Sequence, residues 1–133
     1  MNKLDKENVI GISALLVHAA KIDEIYSNHE KDLIKNFIKS YLENNDVNEA
    51  LEKAEQIESS SNQLLNFTNI IKKNSMDIKK DIIEHLWKVI ISDNTIDQYE
   101  SNLMRRICGL IYFPDKECAE IKLKLINSKW HIL

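Results

Sequence analysis

The chain has 133 residues, 44% of them hydrophobic and 29% charged, with a formal net charge of −3. That length suits one domain with a single real core, and the mildly acidic balance argues against the clustered basic face of a nucleic-acid binder. Two glycines (Gly11, Gly109) and one proline (Pro114) are too few for an all-β fold with many tight turns. The expected class is therefore all-α, with residues 1–133 forming one domain and a core over about 8–127.

Met1 to Glu7 carries charges where a signal peptide needs an apolar run, and no stretch approaches the roughly 20 apolar residues of a membrane span. A soluble protein in the cytoplasm is the expectation. Cys108 and Cys118 form no C-x-x-C pair and each falls in an apolar helical pattern, which predicts buried free thiols in a reducing compartment.

In chain order, the spacing predicts a first helix over about Lys6–Ile22, with Val9, Ile12, Leu16 and Ala19 on one buried stripe and Leu15 beside it. His18 lies one position off that stripe. Asp23-Glu24-Ile25-Tyr26 breaks the period and forms a first acidic turn. Ser27-Asn28-His29-Glu30 is a capping box opening a second helix, in which Leu33, Ile34, Phe37, Ile38 and Tyr41 face inward. After the polar break at Glu43–Asp46, Asp46 is placed to cap a third helix carrying Val47, Ala50, Leu51, Ala54 and Ile57 inward. Glu58-Ser59-Ser60-Ser61-Asn62 is the most loop-like segment and a joint between two halves.

A short fourth helix is expected over about Asn62–Lys73, and a fifth from Ser75, with Ile78, Ile82, Leu86, Val89 and Ile90 on one face. Asp93-Asn94-Thr95-Ile96 ends it in a second acidic turn. Asp97-Gln98-Tyr99-Glu100 is a second capping box. The helix beyond it buries Leu103, Ile107, Leu110 and Ile111 while Arg105 and Arg106 stay at the surface. Pro114 starts a last helix, about Asp115–Ile126, with Cys118, Ile121 and Leu125 aligned.

The two turns align. A shift of 70 residues, from Asp23 to Asp93, also sets Leu16 on Leu86, Tyr26 on Ile96, Ser27 on Asp97, Glu30 on Glu100 and Phe37 on Ile107. Two such helix–turn–helix units would bury their stripes against each other about a pseudo-two-fold axis.

Leu15-Leu16-Val17 leads to Asp23 in the first half. The second half has Leu86-Trp87, Asp93, Asp97-x-x-Glu100 and Leu103-Met104-Arg105-Arg106-Ile107, then Leu110-Ile111-Tyr112-Phe113-Pro114 and Lys122-Leu123. On these residues, from about Ile12 to Leu125, the chain resembles the TerB-like family of tellurite-resistance proteins, to which the N-terminal domain of a DnaJ-type co-chaperone is related. The resemblance implies a bundle of about seven helices with no established catalytic activity, linked to stress and tellurite resistance. The family's turns usually read Ala-Asp-Gly; here Ser92-Asp93-Asn94 and Ile22-Asp23-Glu24 keep the aspartate and lack the glycine.

Asp93, Asp97 and Glu100, joined by Asp23 and Glu30 if the repeat folds together, form a candidate site for a divalent cation (Ca²⁺, Mg²⁺ or Zn²⁺), since hard cations take carboxylate oxygens. It is not an EF-hand loop, because Met104 stands where the bidentate glutamate is required. The same carboxylates also suit helix caps, each worth about 0.3–1 kcal/mol near a helix N-terminus. No phosphate-binding loop, H-E-x-x-H or nucleophile elbow is present. The expected function is a non-enzymatic interaction or regulatory module with a protein partner. A helical metal-dependent hydrolase built from His18, His29, His85 or His131 with acids is the alternative.

Overall fold

Between Val9 and Val17 no side chain is charged, and this segment forms the middle of α1 (Lys6–Ala20). A helix with no polar face can satisfy itself only by being covered on every side. In the computed structural model, which describes residues 4–21, 26–60, 65–91 and 98–130, that is where α1 lies. The helices that follow are α2 (Asn28–Lys39), α3 (Val47–Ser60, entered through a 3₁₀ turn at Asn44–Asp46), α4 (Leu65–Lys72), α5 (Met76–Ile91), α6 (Gln98–Leu110) and α7 (Asp115–Trp130). Among the described residues there are seven α-helices and no strand.

α1 packs against α2, α3, α4 and α5, most extensively against α3. The expected stripe of Val9, Ile12, Leu16 and Ala19 is buried, but so are Ile10, Ala14, Leu15, Val17 and Ala20. The single-stripe expectation was too narrow. Small residues on the remaining faces let neighbours close in instead of leaving an edge to water. Ser13 is buried with them, and its hydroxyl has no hydrogen-bond partner. Asp5 caps the helix, its carboxylate accepting from the Asn8 backbone N–H at 2.7 Å.

α2 meets α5 through an aromatic cluster. The Phe37 ring lies 5.2 Å from both Tyr41 and His85, edge-on to the imidazole. The Tyr41 hydroxyl donates to Asp81 at 2.6 Å, and His85 Nδ1 lies 2.9 Å from the Asp81 carbonyl. α7 packs on α5 and α6, and α4 joins α6 to α1.

Three expectations fail locally. Ile57, on the inward period of α3, is 39% exposed. Asp46 sits within the 3₁₀ turn ahead of α3, with its carboxylate 3.7 Å from Lys6 Nζ. α7 also runs on to Trp130, past the Ile126 expected as its end. α1 and α5 are of similar length, as are α2 and α6. Residues 22–25 and 92–97, which join the two pairs, lie outside the described residues, so the pseudo-two-fold stays a feature of the sequence.

The α6–α7 connection is a Schellman turn. Phe113 N–H donates to the Cys108 carbonyl at 2.9 Å and Tyr112 N–H to that of Gly109 at 3.4 Å, while Tyr112 takes φ 59°. Phe113 is buried, and Pro114 turns the chain into α7.

The two glycines test this packing in opposite directions. A Cβ on Gly11 would collide with Ile70 Cδ1 on α4, whereas one on Gly109 meets nothing. Gly11→Leu is expected to destabilise by about 1–3 kcal/mol despite its better helix propensity. Gly109→Ala is expected to stabilise by a few tenths to about 1 kcal/mol. Urea unfolding of both variants checks this, and equal effects would contradict the placement of α1 against α4.

Candidate functional site

Of the five carboxylates singled out as cation ligands, Asp23, Asp93 and Asp97 lie outside the described residues. Glu100 is the third residue of α6, with its side chain outside them as well. Glu30 is described. It is 5% exposed and closes the expected capping box. Its Oε1 accepts from the Ser27 N–H at 2.9 Å, while Ser27 Oγ accepts from the Glu30 N–H at 3.2 Å.

The structure adds partners to this first turn that spacing did not reveal. Tyr26, just past the turn, donates its hydroxyl to Glu55 on α3 at 2.7 Å, 29 residues away. Glu58, one helical turn further along α3, accepts from Lys21 Nζ at 2.9 Å and lies 3.4 Å from His18 Nδ1. The ammonium groups of Lys31 and Lys21 stand 5.0 and 5.8 Å from the Tyr26 ring centre. Lys31 Nζ is also 3.9 Å from Glu55.

A ring of carboxylates and bases thus ties the end of α1 and the start of α2 to α3. Burial first, then the Glu55 hydrogen bond, and then the charges of Glu55, Glu30 and Glu58 hold the Tyr26 hydroxyl protonated well above the ordinary tyrosine range.

The histidines that the hydrolase reading needs are dispersed. His18 belongs to this ring, His85 to the α2–α5 interface, His29 is exposed on α2, and His131 lies outside the described residues. Among the described residues, no group of three or more His, Cys, Asp or Glu is arranged to hold a metal ion. Arg105 and Arg106 are exposed, as expected. No helix of the described residues is long and apolar enough to cross a membrane.

Tyr41 is held protonated in the same way, by burial and then by Asp81. A phenol whose pKa rises on folding keeps its proton more tightly in the native state. Its contribution is complete below the unfolded value of about 10 and is lost as pH rises beyond it. Stability is therefore expected to fall above about pH 10, and to fall less steeply in a Tyr26→Phe, Tyr41→Phe double variant, followed by urea unfolding across that range.

The family model described as "Tellurite resistance protein TerB" matches residues 9–123. No curated protein and no solved structure matches the chain significantly. The match spans most of the chain, from α1 into α7, and includes both acidic turns. The chain belongs to the TerB family.

Proposed function

We propose that this TerB-family chain is a non-enzymatic interaction or regulatory module whose acidic interhelical turns take a divalent cation. The observation that carries the reading is the negative charge that Glu30, Glu55 and Glu58 bring to Tyr26 beside the turn that holds Asp23; these three, engaged by Ser27, Tyr26 and Lys21, are the surroundings of that turn and not a ligand set. Negative charge concentrated where two helices meet a third favours a cation, and cation binding there would stiffen the α1–α2 junction against α3. The second turn offers Asp93, Asp97 and Glu100 in a matching order. Most of the described apolar residues are buried, with Ile57, Met76, Tyr112 and Leu123 the large exposed ones, so a protein partner would read mainly charged helix ends. The histidines' separate engagements weigh against a metallohydrolase. The family's name supplies the link to tellurite resistance, which this reading carries at the level of the family.

Calorimetric titration with Ca²⁺, Mg²⁺ and Zn²⁺, beside Asp93→Asn and Asp97→Asn, tests it. Saturable binding in the native protein, lost in both variants, is the expected result. No heat with any cation, together with variants that lose only stability, would reduce these carboxylates to helix caps. Ser27→Ala serves as the capping control and is expected to cost about 0.5–2 kcal/mol without abolishing cation binding.

A further inference from the structure

On the side of the molecule formed by α5, α6 and α7, a surface cavity of about 450 Å³ is lined by Trp87, Arg105, Asp115, Cys118 and Lys122, among others. Three features converge on it.

The chain's two cysteines, both free, meet across the α6–α7 turn: Cys108 is wholly buried, and Cys118 is 6% exposed at the cavity wall. The two thiols are hydrogen-bond neighbours. The indole of Trp87 is 4% exposed, and its buried N–H has no acceptor in full hydrogen-bond geometry. The group this N–H favours in anionic form is the Cys118 sulfur. Finally, Lys122 stands 5.3 Å above the Trp87 ring and Arg105 also lines the cavity, so its charged lining is cationic apart from Asp115.

A thiol becomes a nucleophile as its thiolate, and such neighbours favour that form. The Cys108 hydrogen bond, the Trp87 N–H and Lys122 pull the Cys118 thiol down, against burial and Asp115. The same hydrogen bond, with burial, keeps the Cys108 proton in place. One thiol is thus exposed to a cavity and poised to react, while its partner is held in reserve behind it.

We propose that Cys118 is a hydroperoxide-reactive thiol and Cys108 the thiol that resolves it, the pair closing to a disulfide between α6 and α7. The Cys118 thiolate, its proton given to solvent, attacks one peroxide oxygen. An S–O bond forms, the O–O bond breaks, and the departing oxygen takes up a proton as water or alcohol. Cys118 is then a sulfenic acid. Cys108 attacks that sulfur: the S–S bond forms, the S–O bond breaks, and hydroxide leaves with the Cys108 proton as a second water. Two thiols lose two electrons and the peroxide gains them. The Trp87 N–H gains an acceptor whenever charge builds on the Cys118 sulfur, which makes Trp87 a positioning residue.

The test is hydrogen peroxide added to the reduced, folded chain, read by intact mass, non-reducing peptide mapping and dimedone trapping. The native protein is expected to become lighter by two hydrogens as a monomer, with a Cys108–Cys118 cross-linked peptide that a phosphine reductant reopens. Cys108→Ala should stop at a dimedone-trapped sulfenic acid on Cys118, and Cys118→Ala should not react, with helicity confirmed by circular dichroism. Trp87→Phe should move the pH midpoint of Cys118 alkylation upward. Two thiols that persist in the folded native chain while a urea-unfolded sample oxidises would overturn the proposal. So would a disulfide formed only between chains, or a Cys118→Ala variant that oxidises as fast as the native protein.

Discussion

The burial of α1 on every side is the constraint on which the rest of the molecule depends. A helix without a wet face needs neighbours all round, and α2, α3, α4 and α5 supply them. Its small residues set how close they come, with Gly11 under Ile70 of α4 as the tightest case. Because the middle of α1 admits no charge, its polar chemistry is displaced to its ends. Asp5 caps one end, and His18 and Lys21 mark the other.

At that second end the charges complement the fold. Cations near a helix C-terminus are favoured by the helix dipole, and Lys21 and His18 there recruit Glu58 from α3. Glu55, one turn earlier on α3, takes the Tyr26 hydroxyl, and Glu30 is held by its capping box. A single junction therefore satisfies a helix end, a helix start and the edge of a third helix. Its carboxylates are close enough to raise Tyr26, and Lys21 and Lys31 stand beside Glu58 and Glu55.

What was legible in the sequence follows from which interactions are local. The capping box at Ser27 and Glu30 needs only residues three apart, and it stands as read. The α5 stripe of Ile78, Ile82, Leu86, Val89 and Ile90 is likewise buried as its period required. The all-round burial of α1 was readable too, in the uncharged run from Val9 to Val17, but a search for one stripe passes over it. Ile57 shows the opposite error, since it lies on the inward period of α3 and is exposed all the same. Tyr26 with Glu55 and Tyr41 with Asp81 join residues 29 and 40 apart, and no spacing rule announces such pairs. The meeting of Cys108 and Cys118 depends on a Schellman turn whose left-handed position is held by Tyr112, where glycine would have signalled it.

The two sites proposed here are linked by the course of the chain. α5 carries Trp87 against Cys118 and, four residues after Trp87, reaches its end at Ile91, where the second acidic turn begins. α6 starts as that turn ends, and Cys108 lies in its last turn. The second acidic turn of the sequence lies between the two helices that frame the thiol pair. Cross-linking Cys108 to Cys118 would fasten α6 to α7, which also packs on α5. Rigid helices transmit such a constraint along their length, because packed elements shift as units and do not bend residue by residue. Closing the thiol pair would therefore act on α6 and α7 directly and, through α7, on α5.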